Sequence, residues 1–201
     1  MRASLRRGAR HVRIWHYGWT AIYGGLATYQ AVSIAFADRE SRINNYFGTG
    51  ASLLGLSVLW IAPLKVMADQ RWLERRVAAS PADESPCALV AEAERLLVRD
   101  AAAEAFGKSA MTHAGNFVLN IGLALALGIG FNHWDQAAIQ GLSGIAVGEL
   151  QSFTQPTDEI KTLQRYRAGE LGQPRGRDPP LFTVVPELAR DRFGLSLALA
   201  F

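Results

Sequence analysis

The chain alternates between long apolar stretches and shorter segments that carry most of its charges. Residues 44–64 contain no charged side chain, and residues 109–132 contain only one titratable group, His113. A helix needs roughly 20 apolar residues to cross the ~30 Å hydrocarbon core of a bilayer, so both stretches are long enough. A less apolar stretch lies beside each of them. We therefore predict four membrane-spanning helices, over residues 14–37, 45–66, 109–131 and 134–153.

A further helix is predicted between the second and third spans. Ser85 and Pro86 are typical of a helix start, and apolar residues recur after them at three- and four-residue spacing. Charged residues, among them Arg99 and Glu104, fall on the other faces. This pattern predicts an amphipathic helix over residues 86–106, which lies on the membrane surface or against the bundle. Between spans three and four, residues 132–135 leave room only for a tight turn, so these two spans are antiparallel neighbours.

The carboxy-terminal part follows a different pattern. Residues 169–180 are rich in Gly, Pro and Arg, which is typical of a linker. Residues 181–201 predict a short β-hairpin, with a turn at residues 191–194 and alternating apolar positions that end at Phe201. Such an ending resembles the terminal signal of outer-membrane barrels, but the long apolar runs upstream lack the alternation of barrel strands. The predicted fold is an all-α integral membrane bundle of four helices, with one amphipathic helix and this hairpin.

Charge distribution predicts the orientation of the bundle. Five arginines precede the first span, and further Lys and Arg residues lie between spans two and three and after span four. The loops on the other side hold only Arg39 and Arg42. Because cytoplasmic loops carry the excess of Lys and Arg, both termini are expected in the cytoplasm of a bacterium, with the protein in the inner membrane. An outer-membrane location, suggested by Phe201, fits four helices less well.

The first predicted span has an alternative interpretation. Residues 35–37, Ala-Phe-Ala, match the small-residue pattern of a signal-peptidase site, so residues 1–37 also have features of a cleaved signal. We favour an uncleaved span, because the apolar segment is long for a signal and is interrupted by polar residues and glycines.

Four short segments resemble a group of uncharacterised bacterial multi-span membrane proteins. The segments are DQRWLER at 69–75, CALVAEAERLL at 87–97, GIAVGEL at 144–150 and TQPT at 154–157. The resemblance covers roughly residues 10–170. It implies a four-helix membrane protein, and it brings no activity, because none is established for that group.

The candidate site is a polar cluster inside spans three and four. Glu149 has apolar neighbours in its span, where an ionised carboxylate costs about 2.5–3.5 kcal/mol unless it is paired. On span three, His113, Asn116 and Asn120 share one helical face, and Asn116 lies at a depth similar to that of Glu149 when both are counted from the turn. The four residues are therefore expected to meet. They form either a proton relay or polar-ligand site, or a set of hydrogen bonds that fixes the register of the helices.

Small residues form stripes on two spans and favour close helix packing. The stripes comprise Gly48, Ser52 and Gly55 on span two, and Ala137, Gly141, Gly144 and Gly148 on span four.

Other classes of site have little support in the sequence. The single cysteine, Cys87, excludes a multi-cysteine metal site and an intramolecular disulfide. The histidines lack the spacing of a metal-binding helix face, and no cofactor motif is present, so no metal or cofactor is expected. The net charge of +3 comes without a basic run that would predict nucleic-acid binding.

Three functions are compatible with this sequence. The favoured one is a structural or assembly subunit of a membrane complex, with the lipid bilayer and other membrane subunits, or further copies of the chain, as partners. The second is a small transporter or proton-conducting protein that uses Glu149 and the span-three polar face. The third is a membrane-embedded enzyme with His113 and Glu149 as acid and base; we expect no catalytic activity.

Overall fold

The computed structural model describes residues 2–81 and 85–171, and the backbone of two strands at residues 182–189 and 192–199. The chain forms two compact units, residues 1–168 and 169–201. All the regular secondary structure in the described residues of the first unit is α-helical. Its helices are α1 (Arg2–Phe36), α2 (Arg39–Ile61), α3 (Val66–Ala78), α4 (Pro86–Gly107), α5 (Ala110–Phe131), α6 (Trp134–Thr154) and α7 (Asp158–Arg167).

Two helical hairpins contain the long apolar segments. In the first, α1 packs along α2, and Asp38 caps α2 by accepting a hydrogen bond from the backbone N–H of Ser41 at 2.8 Å. In the second, α5 packs along α6. The turn between α5 and α6 is short because Asn132 adopts the left-handed conformation at φ 57°, which ends α5 within one residue.

A polar bundle joins the ends of both hairpins. It consists of the first part of α1 together with α3, α4 and α7, which pack on one another. Its apolar core contains Leu5, Val12, Val66, Leu73 and Ala93, each at most 7% exposed. The segments that precede the first hairpin, connect the two hairpins and follow the second hairpin therefore lie side by side.

Two helical segments in the described part of the chain are long and apolar enough to cross a membrane: Arg39–Ala78, whose apolar part is α2, and Ala110–Phe131, which is α5. Only 17% of the residues in the most apolar window of each are buried inside the protein. The core helix of a soluble protein would be mostly buried, so these two helices do not have the burial of such a core. By the same criteria of length and hydropathy, α1 and α6 do not qualify as membrane-spanning helices.

The structure corrects the predicted boundaries of the first two helices and the predicted exposure of Glu104. The first helix begins at Arg2, twelve positions before the predicted span, because its amino-terminal turns pack in the polar bundle. The second helix ends at Ile61, before Pro63, and a separate helix, α3, starts at Val66. Glu104, predicted on a polar face of the amphipathic helix, is 1% exposed.

The second unit contains an antiparallel pair of strands, β1 (Phe182–Ala189) and β2 (Arg192–Leu199). Ala189 is paired with Arg192 and Glu187 with Gly194. Arg192–Gly194, predicted in the turn, thus belong to β2. The predicted linker falls largely on residues 172–180, outside the described residues, as does Phe201.

Candidate functional site

A polar contact joins the first turn of α5 to the last turns of α6. The Ser109 side chain accepts a hydrogen bond from the backbone N–H of Thr112 at 3.3 Å and so caps α5, which fixes His113 in the first turn. The Nδ1 atom of His113 lies 2.6 Å from Oε2 of Glu149. Both side chains are partly buried, at 27% and 18% exposure. This pair lies at the end of the hairpin that adjoins the polar bundle.

Two asparagines extend the contact along α5. The side-chain amide of Asn116 donates to Oε1 of Glu149 at 2.9 Å and to the carbonyl of Ile145 at 3.0 Å. One turn further, the amide of Asn120 donates to the Asn116 carbonyl at 2.9 Å and to Asn116 Oδ1 at 2.8 Å. The structure thus brings all four residues of the predicted cluster into one hydrogen-bonded chain between α5 and α6.

Glycines on α6 receive the asparagine side chains. A Cβ atom on Gly144 would lie 1.9 Å from Oδ1 of Asn120, and one on Gly148 would lie 2.1 Å from Oδ1 of Asn116. No side chain larger than hydrogen fits at either position unless the asparagine moves. The two glycines therefore allow the polar chain to lie flat against α6.

The same stripe contains two further small residues. A Cβ atom on Gly141 would lie 2.9 Å from Cβ of Ala124, and Ala137 is 2% exposed. These positions bring the backbones of α5 and α6 close together towards the turn.

The first hairpin uses glycine in the same way. A Cβ atom on Gly48 would lie 1.8 Å from Oε1 of Gln30, and one on Gly55 would lie 2.5 Å from the ring of Tyr23. Ser52, between them, is 6% exposed. Each small residue of the predicted α2 stripe therefore faces into the protein, and both glycines are covered by α1.

A cavity of about 650 Å³ lies between the two hairpins, with all four long helices in its wall. None of the described residues that line it is Asp, Glu, Lys, Arg or His. Asn116 and Asn120 line the cavity, whereas His113 and Glu149 do not. The wall is thus uncharged, mostly apolar, and equipped with amide and hydroxyl groups.

Hydrogen bonds connect the hairpins at both ends of this cavity. Near the polar bundle, the Tyr23 hydroxyl donates to Oε1 of Gln151 at 2.8 Å, and the Trp19 indole donates to the Thr154 hydroxyl at 3.1 Å. At the opposite end, the Gln140 side chain donates to the carbonyl of Asn44 at 2.7 Å, and the ring of Phe47 meets that of Phe131 edge to face. The hairpins are therefore held together at their ends and separated between them.

A second polar cluster, in the polar bundle, was not predicted from the sequence. It contains four acidic residues from three helices, each at most 7% exposed: Asp69 of α3, Asp100 and Glu104 of α4, and Glu159 of α7. The guanidinium of Arg99 donates to Oδ2 of Asp69. Burial raises the pKa of Asp100 to about 8, and the neighbouring carboxylate of Asp69 adds to the rise.

Glu104 has a defined structural partner in this cluster. Its Oε2 atom accepts hydrogen bonds from the backbone N–H groups of Glu159 at 3.0 Å and Ile160 at 3.1 Å, which are the first-turn donors of α7. Burial nevertheless raises the pKa of Glu104 to about 8, because it outweighs those two hydrogen bonds to the carboxylate. The spacing of these residues in the sequence indicates their burial. Asp100 and Glu104 continue the helical face that carries Ala93 and Leu97, both of which are buried.

The arrangement offers hydrogen-bonding groups, buried carboxyls and a cavity. Within residues 2–81 and 85–171, no three His, Cys, Asp or Glu side chains are grouped in a way that could hold a metal ion. Cys87 is exposed. Comparison with protein-family models, with curated proteins and with solved structures gave no match to this chain.

Proposed function

We propose that the chain is a four-span integral membrane protein that acts as a structural or assembly subunit of a membrane complex. The observation that carries the proposal is the outward face of the two hairpins. Large apolar side chains are more than half exposed there on every helix, including Val32, Ile61, Val118, Ile129 and Leu142. An apolar surface of this extent is typical of contact with lipid or with other proteins.

The polar bundle supports an even number of crossings. The first part of α1, the α3–α4 segment and α7 pack together, so they lie on one side of any membrane that the hairpins cross. This side carries most of the Lys and Arg residues, and the connector between α1 and α2 carries Arg39 and Arg42. The positive-inside rule then favours a cytoplasmic bundle, with both termini in the cytoplasm and the protein in a bacterial inner membrane.

The internal contacts support a packing role for the polar cluster. His113, Asn116, Asn120 and Glu149 bond to one another or to the α6 backbone, and the glycine stripes are covered by the neighbouring helix of the same hairpin. These groups therefore stabilise the helix pairs. The outward apolar faces are left for lipid, for further membrane subunits or for copies of this chain.

Two labelling sites test the topology. Cys87 is exposed at the start of α4, and Glu40 is exposed in the first turn of α2, next to the predicted periplasmic connector. In intact cells, a membrane-impermeant maleimide should label a Glu40→Cys, Cys87→Ser protein and leave the wild-type Cys87 unlabelled until the cells are opened. The reverse pattern would contradict the orientation, and labelling of both cysteines in a soluble fraction would contradict the membrane proposal.

Co-purification tests the assembly role. Full-length tagged protein, extracted from inner membranes in mild detergent, should elute with another membrane protein in a fixed ratio or as a defined multimer of itself. A chain that elutes as a monomer free of other proteins over a range of mild detergents would overturn this role while leaving the topology intact.

Transport or proton conduction is a second candidate, because Asn116 and Asn120 of the polar chain also line the cavity. If Glu149 takes part, Glu149→Gln should abolish an ion or solute flux in proteoliposomes without changing the folded fraction. Glu40→Gln, at an exposed position, is the matched control. Lower stability with an unchanged flux would reject this candidate. His113 and Glu149 lie outside the cavity wall, so the geometry does not favour an enzyme that uses them as acid and base on a bound substrate.

A further inference from the structure

The first unit consists of two halves with the same order of elements. In each half, a helical hairpin is followed by a break that contains a proline, Pro63 or Pro156, and then by a short helix of the polar bundle, α3 or α7. A segment of the same bundle also precedes each hairpin, namely the first part of α1 and α4. Each half thus contributes one hairpin and two bundle segments.

A constant offset of 93 positions relates the two halves, as Pro63 and Pro156 show. The same offset relates the glycines that allow close packing, Gly48 to Gly141 and Gly55 to Gly148. It also relates Tyr23, which covers Gly55, to Asn116, which covers Gly148. Tyr23 and Asn116 therefore make corresponding contacts in the two hairpins, whereas Gly48 meets Gln30 and Gly141 meets Ala124, one position away from the counterpart of Gln30.

Burial in the polar bundle follows the same offset. Val66 and Asp69 on α3 correspond to Glu159 and Thr162 on α7, and all four are buried. The side chains differ while the buried positions coincide. Since each half contains one complete hairpin, the two halves point the same way and form a parallel repeat.

The cavity wall is built from corresponding positions of both halves. Tyr23 corresponds to Asn116, Leu26 to Leu119 and Gln30 to Leu123, and all six residues line the cavity. Further corresponding pairs on α2 and α6 also line it. The cavity therefore lies at the interface of the repeat. In secondary transporters built from repeats, the substrate site lies at such an interface.

We propose that this cavity is a binding site for one uncharged amphiphile, a molecule with a mainly apolar body and a neutral hydrogen-bonding head. The proposal rests on the four-span arrangement proposed above and is independent of the assembly role. A volume of about 650 Å³ lies within the ~300–1,000 Å³ range of small-molecule pockets. A charged ligand would meet no opposite charge in the described wall, whereas an apolar body would meet leucine, valine and glycine.

The polar groups of the wall provide the contacts for the head. Gln30 lines the cavity, and its buried Oε1 atom has no hydrogen-bond partner. The Asn120 amide and the Tyr23 hydroxyl are already engaged within the protein. This oxygen packs against Gly48, so a rotation of the Gln30 side chain is needed to turn it towards the cavity. We assign Gln30, in that rotated position, to the head of the ligand, since an unsatisfied buried carbonyl gains most from a donor.

The test uses the full-length protein in detergent, purified without partner subunits, and counts bound molecules by native mass spectrometry. The probes are dioctanoylglycerol and a decyl-substituted benzoquinone, both uncharged, and dioctanoyl phosphatidic acid, which is anionic. One molecule of an uncharged probe should bind per chain, at least about tenfold more tightly than the anionic probe. The two uncharged probes distinguish a neutral lipid from a quinone.

Two glycines of α5 supply the matched variants. Gly115 lines the cavity and Gly122 does not, and a Cβ atom at either position would meet open space. Gly115→Phe should therefore weaken binding of the uncharged probe at least about tenfold by filling the cavity, and Gly122→Phe should leave it unchanged. Gln30→Met, which keeps the length of the side chain, should weaken it about three- to tenfold.

Several results would overturn the site. They are the absence of binding by both uncharged probes, equal binding by the anionic probe, and equal binding to wild type and Gly115→Phe. If Gly115→Phe is not recovered as a folded protein, unchanged binding to Gln30→Met overturns the assignment of the head contact. Failure of the labelling experiment would instead remove the four-span arrangement, so the two proposals are tested separately.

Discussion

His113 and Glu149 approach to 2.6 Å across the α5/α6 hairpin, between the first turn of one helix and the last turns of the other. Asn116 shares the same carboxylate through a second hydrogen bond of 2.9 Å. The contact therefore fixes both the register of the hairpin and the position of the asparagine that lies against Gly148.

Because these side chains act as one unit, we expect their substitutions to be non-additive. Glu149→Ala and His113→Ala should each lower the melting temperature of the purified protein in detergent. The double variant should be little worse than either single variant, because each one already removes the shared contact. Additive losses, measured by thermal unfolding under identical detergent conditions, would show that the two residues act separately.

The second prediction concerns the fit between Gly144 and Asn120. A Cβ atom at Gly144 would lie 1.9 Å from Oδ1 of Asn120, whose side chain is held by two hydrogen bonds to Asn116. Gly144→Ala should therefore destabilise the protein by about 1–3 kcal/mol. The control is Gly122→Ala on α5, where the added methyl group meets open space; it should be neutral or stabilising by up to about 1 kcal/mol. Equal unfolding free energies for the two variants would contradict the packing argument.

The third prediction concerns the pH dependence of stability. The ordinary pKa values of Asp100 and Glu104, 3.8 and 4.5, rise to about 8 in the folded protein. Between about pH 4 and pH 8 the folded state therefore holds protons that the unfolded state has released. Stability from these groups is fully present below about pH 4 and is lost as the pH rises towards 8, by up to ~1.4 kcal/mol per pH unit for each proton.

Neutral isosteres provide the test of this sign. Asp100→Asn and Glu104→Gln should raise stability relative to wild type at pH 8.5 and change it little at pH 5, measured by denaturant unfolding at both values. Wild type that is more stable than both variants at pH 8.5 would show that the carboxylates are favoured in their ionised form.

The fourth prediction separates two roles of Glu104: it is a buried group that titrates, and it accepts hydrogen bonds from the backbone of α7. Glu104→Gln keeps an oxygen that can accept from the first-turn N–H groups of α7, whereas Glu104→Ala leaves them without it. The alanine variant should be less stable than the glutamine variant at every pH, by about 1–3 kcal/mol, because the buried N–H of Glu159 loses its acceptor. Equal stabilities would show that water or another group replaces the carboxylate as the acceptor.

The hydrophobic pattern located the long helices and the polar cluster because both depend on local periodicity. His113, Asn116 and Asn120 share one face of a single helix, and residues 132–135 permit only one arrangement of α5 and α6. These features need no knowledge of distant contacts. The boundaries of α5, Ala110–Phe131, therefore lie within one residue of those predicted.

The polar bundle was missed because it depends on contacts between distant segments. Asp100, Glu104 and Glu159 lie in charged stretches, where a single sequence gives the same pattern for a solvated face and for a buried cluster. The sequence alone also contains the 93-residue offset, because Gly48 and Gly55 recur 93 positions later as Gly141 and Gly148. It gains physical meaning only when those glycines are seen to receive side chains from the neighbouring helix.

The last prediction concerns the turn of the second hairpin. Asn132 ends α5 at φ 57° and ψ 31°, a conformation that glycine adopts freely, that asparagine tolerates, and that costs other residues roughly 1–2 kcal/mol. Asn132→Gly should therefore leave the unfolding free energy within about 0.5 kcal/mol of wild type, while Asn132→Val should lower it by about 1–2 kcal/mol or more, because its branched side chain is least compatible with positive φ. Both variants lose the same side-chain amide, so the difference between them reports the free-energy cost of the left-handed backbone conformation at this position. If valine and glycine gave equal stability, the turn would have to adopt a different conformation, and the close pairing of α5 with α6 that positions Asn116 and Asn120 would lose its geometric basis.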